Sequence, residues 1–483
     1  MGRKTKYFLK NYLLNFGFKK DKCPAYSLQE TERYYRFGTN VRGRNIIFNI
    51  AKTRKLDVSE KCVLKNACKE NTHTLLCCYE VREAGPGIPL FRSSKGFNVA
   101  TYCKDVKGGI EVDVGVNLID EVFYHLSAMG EYKRESNREK IQPYYFEGAD
   151  RTVNEPLVDD FYNLFTDAVN TVLERFDISE GMQRKLDGFN VSLTHDVDAI
   201  KKDYRTSMKY LSFLVFTFAR KWDFNAVRRM YRYLSHDSDF NRIIDIVHME
   251  KGFGDKSTFF LYSNVVKKGL LSRVVEGFVG PSYDIRDSSV LADIRDVFNE
   301  AGFEVGLHSS YPAALNYELL EEEFDLLKRL SHNTVISNRN HFLNFSLTRT
   351  PLMLEKAGIK CDTTFYYNNI CGFMRHKTCS PFYFYSHQDN RIVDVIEIPT
   401  VIMDSTLFNY LSCTDEDAYE KSIEILDKVM ERKGVVCINW HNETSAPEYG
   451  WYSTYQDVLR WMKDNGACTY TIKEVYDRLT SEG

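Results

Sequence analysis

A regular alternation of strand-like and helix-like segments after residue 186 constrains the fold of this chain more than any other feature. Apolar runs of strand length occur eight times: GFNVSLTHDVD, STFFLYS, GFEVGLHSS, TVISNRNHF, IKCDTTF, RIVDVIEIP, GVVCINWHNE and ACTYTI. Helical segments lie between them, namely DIRDVFNEAG, ELLEEEFDLLKRL, TPLMLEKAG, DAYEKSIEILDKVMERKG and STYQDVLRWMKDNG. This alternation predicts a parallel α/β architecture, and a barrel suits the length of the segment better than an open sheet.

The first 185 residues have a mixed pattern instead. The short strand-like runs NIIFNI, THTLLCCYEV and GIEVDVGV are followed by the helical stretches LIDEVFYHLSAMGEY and PLVDDFYNLFTDAVNTVLERF. Apolar residues recur in these stretches at intervals of three and four, as in an amphipathic helix. We therefore expect a smaller α+β domain over residues 1–185, followed by the α/β barrel over residues 186–483.

The composition is typical of a soluble globular protein, with 27% charged and 43% hydrophobic residues. No apolar run is long enough to cross a bilayer, and the N-terminus lacks the apolar core and cleavage site of a secretory signal. The 12 cysteines include no CxxC pair, so we expect reduced thiols and no cysteine-held metal. These features predict a cytoplasmic protein.

Basic residues are concentrated near the start of the chain. Residues 1–55 contain 14 Lys or Arg against three acidic residues, a local net charge of +11, whereas the whole chain carries −3. This segment either forms a solvated basic face or contacts an anion, such as a phosphorylated lipid carrier, a nucleotide-linked sugar or a membrane surface. Nucleic acid is not an expected partner, because no recognised binding motif accompanies the charge.

Residues able to bind a metal or transfer a proton follow four of the predicted strands. Side chains alternate along a strand, so Asp196 and Asp198 share one face, and two carboxylates this close need a neighbouring cation. The others are His308 after the third strand, Arg339 and His341 after the fourth, and Asn439 and His441 after the seventh. Taken alone, Asp198 could cap a helix and His308 could be a packing residue. Four strands presenting such residues at one edge favour a site.

Aspartate and histidine in this combination indicate metal-assisted hydrolysis. Carboxylate oxygen and imidazole nitrogen suit zinc and other borderline divalent ions, and three protein ligands leave one coordination position open. A bound ion lowers the pKa of its water to roughly 7 and polarises a carbonyl oxygen. A neighbouring unligated Asp can take the proton of the water, and a His can protonate the leaving amine. We therefore expect hydrolysis of an amide with a divalent metal, Zn²⁺ being the expected ion.

The same motifs resemble those of the polysaccharide deacetylase (NodB homology) superfamily. THDVD, EVGLHSSY, RNHFLNF, GFMRHKTCSPF and VVCINWHN look like its ordered motifs, in particular those of its bacterial surface-polysaccharide branch, over residues 186–483. LIDEVFYHLSAMGEY and PLVDDF look like the extra N-terminal domain of that branch. The resemblance implies a distorted (β/α) barrel, a divalent metal and removal of an N-acyl group, with acetyl expected, from an amino sugar in surface-glycan biosynthesis.

The resemblance also implies roles for individual residues. Asp196 matches the general base and His441 the general acid of the family, and Arg339 lies where an arginine orients the base. Asp198 and His308 match metal ligands. Tyr311, Arg375 and Trp440 are expected to bind the substrate.

The chain departs from the second family motif at one ligand position. The family has histidines at i and i+4, but the residue four after His308 is Pro312, which cannot bind a metal. We expect His341 to be the third ligand. Alternatively, His341 binds substrate while a second water fills the position. Tyr311 is a further alternative, although a phenol is an uncommon zinc ligand and is better suited to donate a hydrogen bond to substrate.

The fourth motif is also irregular. GFMRHKTCSPF has one residue more than the family pattern, so the match of Arg375 is loose. We expect the adjacent His376 at the surface or facing substrate, and Asp362, at another strand end, as a capping or turn residue.

A rival hypothesis is that the barrel is a catalytically degenerate carbohydrate-binding or scaffolding module of a glycan-assembly complex. The missing i+4 histidine motivates this hypothesis, whereas the complete proton-transfer set of Asp196, Arg339 and His441 argues against it. For the enzyme, the expected partner is an amino-sugar substrate that is nucleotide-linked, lipid-linked or part of an oligosaccharide. Membrane contact is expected to be at most peripheral, through the basic N-terminal segment.

Overall fold

The structure is a computed structural model of the 483-residue chain. It describes residues 3–18, 26–31, 34–41, 44–52, 73–83, 89–92, 99–106, 109–114, 118–136, 154–175, 181–222, 224–263, 283–287, 292, 295, 302–331, 334–373 and 375–481. The predicted helix DIRDVFNEAG falls mostly outside these residues. Within them, no helix is long and apolar enough to cross a membrane.

The N-terminal part combines four helices with an antiparallel-rich sheet. Its elements are α1 (Arg3–Asn15), β1 (Phe16–Phe18), β2 (Tyr26–Glu30), β3 (Tyr34–Val41), β4 (Arg44–Ala51), β5 (His73–Glu83), β6 (Pro89–Arg92), β7 (Val99–Val106), β8 (Gly109–Val114), α2 (Leu118–Leu126), α3 (Met129–Ser136), α4 (Leu157–Arg175) and β9 (Met182–Arg184). Seven strands form one sheet in the order β2-β3-β4-β8-β7-β5-β6. The three strands predicted here are present as β4, β5 and β8. The stretch predicted as one helix is divided into α2 and α3, because Ala128 adopts a left-handed φ of 49°.

The second part alternates strands and helices, as the sequence predicts. Its strands are β10 (Asn190–Val197), β11 (Ser257–Leu261), β12 (Glu304–Ser309), β13 (Ser337–Asn340), β14 (Cys361–Asp362), β15 (Phe382–Ser386), β16 (Arg391–Glu397), β17 (Thr400–Met403), β18 (Val435–Asn439) and β19 (Cys468–Thr469). Its helices are α5 (Tyr204–Lys221), α6 (Phe224–Ser235), α7 (Ile243–Phe253), α8 (Tyr317–Ser331), α9 (Thr350–Ala357), α10 (Asp415–Glu431), α11 (Tyr452–Asp464) and α12 (Ile472–Thr480). All eight predicted strands are present. Strands β15 and β17 and helices α5 to α7 and α12 were not predicted.

Eight of these strands form a parallel sheet in the order β17-β18-β10-β11-β12-β13-β14-β16. Strand β15 adds antiparallel to β16, and β19 pairs with the start of β10. Only Ile398 and Pro399 separate β16, at one end of the parallel set, from β17 at the other. Because two residues span only about 7 Å, the two ends must lie close together and the sheet must curl. This topology is consistent with an α/β barrel, and its parallel strands all end at one edge, which we call the carboxyl rim.

The N-terminal part packs against the second part through α1 and β15. The Tyr7 hydroxyl donates to the carbonyl of Tyr383 at 2.6 Å, and the Tyr383 amide donates to Asn11 Oδ1 at 2.7 Å. One continuous apolar core includes Tyr7 and Phe8 of α1 together with Phe384 of β15. The two predicted domains therefore share buried contacts, and the boundary at residue 185 stays a prediction.

Asp159 of α4 is a buried junction between the two parts. Its carboxylate accepts hydrogen bonds from Arg184 Nη2 at 3.0 Å, from the Thr378 hydroxyl at 2.8 Å, from the Cys379 amide at 2.7 Å and from the Ser380 hydroxyl. Both Asp159 and Arg184 are almost completely inaccessible to solvent. Removal of the carboxylate therefore leaves a buried guanidinium without its counter-charge.

We expect Asp159→Ala to lower the free energy of unfolding by about 3–5 kcal/mol, the usual cost of breaking one side of a buried ion pair. Denaturant unfolding measures this change. Asp187→Ala is the matched control, because Asp187 forms a pair with Lys433 in which both side chains are more than half exposed. This control should change stability by at most about 1 kcal/mol. Equal effects of the two substitutions would contradict a role of Asp159 as a buried junction.

Candidate active site

Three possible metal ligands converge at the carboxyl rim. Asp198 directly follows β10, His308 is the penultimate residue of β12, and His341 directly follows β13. Asp198 Oδ1 lies 3.2 Å from His308 Nε2 and 3.4 Å from His341 Nδ1, and the two nitrogens are 3.1 Å apart. In the described part of the chain, no other three His, Cys, Asp or Glu side chains bring their ligand atoms together in this way.

The protonation of these groups suits a bound cation. His308 Nδ1 lies 2.8 Å from the Arg339 carbonyl oxygen, so Nδ1 carries the proton and Nε2 presents a lone pair. Asp198 Oδ1 is buried and receives no hydrogen bond of good geometry from the described residues. A cation between this oxygen and the lone pair would offset the cost of burying them. With metal–ligand bonds of about 2.0–2.1 Å, ligand atoms at tetrahedral angles are about 3.3 Å apart, close to the separations observed here.

Neighbouring groups hold the ligands in place. The Tyr262 ring packs edge-on against both imidazoles, with ring centres 4.7 Å from His308 and 5.0 Å from His341. Burial raises the pKa of the Asp198 carboxyl, but the two imidazoles outweigh burial and hold this pKa well below its ordinary value. Asp198 is therefore ionised at neutral pH, as a metal ligand must be.

In the family pattern the second histidine lies four residues after the first, in the segment that follows the same strand. His341 instead reaches the cluster from the end of β13. Pro312 lies in the 3₁₀ turn Tyr311–Leu315 that follows β12, and it has no ligand atom to offer. His341 begins a turn in which Phe342 and Leu343 have left-handed φ values of 54° and 53°. Bulky residues rarely adopt this conformation, and such strain is concentrated at functional sites. The structure thus brings His341 to the position that the sequence analysis expects of it.

Asp196 lies beside the three ligands and is paired with Arg339. Arg339 Nη1 donates to Asp196 Oδ1 at 2.9 Å, and Asn439 Nδ2 donates to Oδ2 at 3.1 Å. Burial raises the pKa of the Asp196 carboxyl, but the charge of Arg339 above all, together with that of His441, outweighs burial and lowers it. The predicted pair is present, and Asp196 is an ionised carboxylate that can accept a proton.

His441 faces Asp196 across the site and is held by Asp404. His441 Nδ1 lies 2.6 Å from Asp404 Oδ1, and its Nε2 lies 3.8 Å from Asp196 Oδ2. Asp404 Oδ2 also accepts from the His441 amide at 2.9 Å and from the Thr444 hydroxyl at 2.6 Å. Burial lowers the pKa of His441, but Asp404, Asp196 and Asp198 outweigh burial and raise it well above its ordinary value. The imidazole is therefore protonated at neutral pH, and its Nε2–H can serve as a proton donor.

Asp404 was not among the residues predicted from sequence. It directly follows β17, which begins only two residues after β16 ends, so the segment RIVDVIEIPTVIMD looks like one strand region rather than two. The signal was nevertheless present, because VIMD is a short apolar run that ends in a carboxylate, as the first predicted strand does. Glu443, on the turn after His441, was missed as well and lines the cavity described next.

These groups open onto one cavity of about 230 Å³. Asp196, Asp198, His308, His341 and His441 all line it. Much of its remaining wall consists of aromatic and amide side chains, namely Tyr210, Phe213, Phe342, Tyr410, Tyr449, Trp451, Asn340, Asn368 and Asn409, and Asp203, Glu443 and several hydroxyl side chains contribute as well. Aromatic walls with a few converging polar groups are typical of small-molecule sites.

The three residues predicted to bind substrate do not line this cavity. Trp440 is buried and stacks on Tyr455, because the alternation that turns Asn439 and His441 toward the site turns Trp440 away. Arg375 is buried and held elsewhere: its Nη2 lies 3.2 Å from Glu131 Oε2 of α3, and its Nη1 donates to the Tyr366 carbonyl at 2.9 Å. In this structure, neither of these side chains can reach a substrate in the cavity.

Tyr311 lies nearer the cavity. Its side chain is 43% exposed, and its ring centre lies 6.4 Å from that of Phe342, which lines the cavity. Its side chain does not line the cavity onto which the three ligands open, so the structure does not favour it as a metal ligand. Contact between Tyr311 and substrate stays a prediction.

Of the expectations for His376 and Asp362, one is wrong and the other agrees with the structure. His376 was expected at the surface or facing substrate, and this is wrong: it is fully buried and its Nε2 lies 3.2 Å from the Thr400 carbonyl. Burial lowers the pKa of His376 to about 4, so the ring is neutral. Asp362 is a turn residue, as expected, since it accepts a hydrogen bond from the Thr364 amide at 3.2 Å.

Comparisons with known proteins place this chain near two solved structures only at low similarity. No family model matches the chain, and no curated protein matches it either. A Mycobacterium smegmatis protein named as a polysaccharide deacetylase is similar over 61% of this chain and 91% of its own, with 12% identity and a TM-score of 0.41. The Puue allantoinase is similar over 60% of this chain and 89% of its own, with 12% identity and a TM-score of 0.35. The case for a function therefore rests on the arrangement of the side chains themselves.

Proposed function

We propose that this protein is a metal-dependent amide hydrolase of the polysaccharide deacetylase superfamily, built on a closed, distorted (β/α) barrel. The observation that carries the proposal is that three groups of side chains come together at one cavity. These are the converging ligand atoms of Asp198, His308 and His341, the Asp196–Arg339 pair and the His441–Asp404 pair. A cation site flanked by a proton acceptor and a proton donor has the components that amide hydrolysis needs.

Asp198, His308 and His341 would hold a divalent ion, for which zinc suits the His₂Asp set. When bound, such an ion polarises a carbonyl oxygen and lowers the pKa of water. Asp196 Oδ2 takes the proton of the attacking water, since this oxygen accepts one hydrogen bond, from Asn439, and lies 3.8 Å from His441 Nε2, while Oδ1 is held by Arg339. Arg339 keeps that carboxylate ionised and fixes its direction, because the guanidinium is completely buried around it.

His441 completes the reaction at the other side of the cleaved bond. An amine leaves as a strongly basic anion unless it is protonated, so a donor must lie near the nitrogen. The Nε2–H of His441 supplies that proton, and Asp404 holds the ring from Nδ1 and stabilises its charged form. Asp196 and His441 therefore act as base and acid on the two faces of one amide.

The substrate is an acylated amino sugar. Aromatic faces of Tyr210, Phe213 and Trp451 can pack on a sugar ring, while Asn340 and Asn368 can hydrogen-bond to its hydroxyl and amide groups. Acetyl is the proposed acyl group, and formyl is its smaller variant. A place in surface-glycan biosynthesis, with the sugar carried by a nucleotide, a lipid or an oligosaccharide, follows from the motif resemblance.

Metal content of the purified protein tests the proposal. We expect one equivalent of a divalent ion in the wild type and loss of most of it in Asp198→Ala, His308→Ala and His341→Ala, measured by mass spectrometry after purification without chelator. His248→Ala is the matched control, because His248 is an exposed histidine of α7 outside the cavity. The wild type should release acetate or formate from acetamido or formamido sugars, and the three ligand variants should not.

A metal-free wild type that also fails to take up added zinc would refute the proposal. The same result would favour the rival hypothesis of a carbohydrate-binding module, since binding through aromatic rings and amides needs no metal.

A further inference from the structure

Helices α5 and α6 form a hairpin, residues 204–235, that exposes an unusual amount of apolar surface. Fourteen large hydrophobic side chains are exposed among the described residues, and nine of them belong to this hairpin. They are Tyr204, Met208, Val215, Phe216, Trp222, Phe224, Val227, Tyr231 and Leu234. Isolated exposed apolar residues are common, whereas a cluster of this kind marks an interaction surface.

The exposed residues follow helical spacing. On α5, Tyr204, Met208 and Val215 recur at intervals close to whole helical turns, and on α6 the same holds for Phe224 and Tyr231. Each helix therefore presents a continuous apolar stripe to the outside rather than to the protein core. Such helices lie with one face in an apolar environment, which the described part of this chain does not provide.

The inner face of the hairpin is firmly attached to the protein. Tyr210 and Tyr233 are buried and contact each other, with ring centres 4.9 Å apart, and Arg229 Nη1 donates to the Phe408 carbonyl at 2.5 Å. Tyr210 and Phe213 of α5 also line the catalytic cavity. The hairpin thus has one face in the wall of the site and an opposite, apolar face toward solvent.

The connection between the two helices is an aromatic tip. Trp222 and Phe224 are each 73% exposed, and both rings lie near Phe218, at centre distances of 5.9 and 5.8 Å. Trp222 adopts a left-handed φ of 54° that ends α5 and turns the chain. Tryptophan is enriched where an apolar phase meets water, because its ring is apolar and its N–H needs a polar partner.

The hairpin is also strongly basic. Residues 204–235 contain seven Lys or Arg against one Asp, a net charge of +6 in a chain whose total is −3. Arg228 is exposed on α6 beside the apolar stripe. In the basic N-terminal segment, by contrast, Lys4 and Lys52 are paired with Asp120 and Glu30.

We propose that the α5–α6 hairpin docks the protein onto an anionic lipid bilayer, with its apolar stripes and aromatic tip in the headgroup region. Apolar residues combined with Lys and Arg are the signature of helices that lie in a membrane interface. Arg229 and Arg232 donate inward to the Phe408 and Tyr449 carbonyls, so five Lys or Arg and one Asp remain for the outer surface, a net charge of +4. A second copy of this chain is a poor occupant, because pairing two such surfaces brings these like charges together. Docking would hold the cavity, whose wall includes Tyr210 and Phe213 of α5, beside the membrane. The identity of the substrate rests on the function proposed above: for an enzyme that deacylates amino sugars, docking at a membrane makes a lipid-linked amino sugar the substrate.

Vesicle binding by the full chain tests the docking surface independently of catalysis. We expect co-sedimentation with vesicles of equimolar phosphatidylcholine and phosphatidylglycerol, and binding at least about tenfold weaker to phosphatidylcholine alone. The double variant Trp222→Glu/Phe224→Glu should bind the anionic vesicles about 100-fold more weakly, since two aromatic side chains are no longer buried in lipid. Tyr34→Glu/Tyr124→Glu is the matched control, because it places the same two charges on exposed aromatic positions of β3 and α2.

Fluorescence gives a second readout. Of the four Trp residues, Trp440 and Trp451 are buried and Trp461 of α11 is partly buried against Phe189, so a blue shift on adding anionic vesicles should come mainly from Trp222. Trp222→Phe should keep vesicle binding and lose most of that shift. Asp198→Ala, expected to be inactive, should bind vesicles like the wild type, so a failure of the catalytic proposal leaves this test intact.

Two results would overturn the docking proposal. One is equal binding of wild type and Trp222→Glu/Phe224→Glu to the anionic vesicles. The other is a wild-type dimer in sedimentation equilibrium that the double variant converts to a monomer, without vesicle binding by either, which would assign the surface to a second copy of the chain.

Discussion

Asp196→Asn is expected to lower turnover by about 10²–10⁴-fold while the metal content stays at the wild-type level. The carboxamide has nearly the shape of the carboxylate, so the contacts of Arg339 with Oδ1 can persist. It cannot accept a proton at neutral pH, and the attacking water then lacks its base. The measurement is kcat for acetate release, together with metal content by mass spectrometry on the same preparation.

The matched control is Asp362→Asn. Asp362 is also a buried aspartate at the end of a parallel strand, but it does not line the cavity, and its Oδ1 accepts from Asn338 at 2.8 Å. Turnover of this variant should stay within about tenfold of wild type, because no group that moves a proton is removed. Wild-type turnover in Asp196→Asn with the metal in place would show that another group is the base.

Much of the site could be predicted because parallel strands bring their carboxyl ends together. Once the alternation of strand and helix is recognised, residues 110 or more positions apart in the chain, such as Asp198 and His308, are placed at the same rim. His341 could be predicted for the same reason, as the nearest histidine at a neighbouring strand end. The prediction needed only the order of the strands, which the regular alternation largely determines.

The burial of Trp440 away from the cavity could have been predicted from the alternation of side chains along a strand. Side chains of a strand alternate between its two faces, so placing Asn439 and His441 in the site already turns Trp440 away from it. Arg375 is different, because its position depends on Glu131, 244 residues earlier in the chain. A contact between two such distant residues in separate parts of the fold leaves no periodic signal in the sequence.

The α5–α6 hairpin was missed for another physical reason. An apolar stripe at helical spacing predicts that one face of a helix is shielded from water, but the spacing does not say what shields it. Here the stripe carrying Met208 and Val215 faces outward, while Arg229 is buried. The sequence analysis did not identify these helices, and where such a spacing is recognised, only the structure shows the direction in which the face points.

His441→Ala is expected to lower kcat on an acetamido sugar by about 10²–10⁴-fold, and Asp404→Asn should lower it in the same direction by a smaller factor. His441 is the donor that the leaving nitrogen needs, whereas Asp404 only orients the ring through Nδ1 and stabilises its charge. The metal should stay bound in both variants, because neither residue belongs to the three ligands. Steady-state kinetics should place the loss in kcat rather than in KM.

The choice of leaving group separates proton donation from a merely structural role. An aryl acetate ester expels a phenolate, which is stable without a proton, so His441→Ala should lose less than about tenfold on the ester while losing 10²–10⁴-fold on the amide. Asp196→Asn should be slow on both substrates, since both need an activated water. Equal losses of His441→Ala on ester and amide would contradict the assignment and make His441 a positioning residue. A loss on both substrates in Asp196→Asn, together with a large loss on the amide alone in His441→Ala, would identify Asp196 as the base and His441 as the acid in a single set of rates.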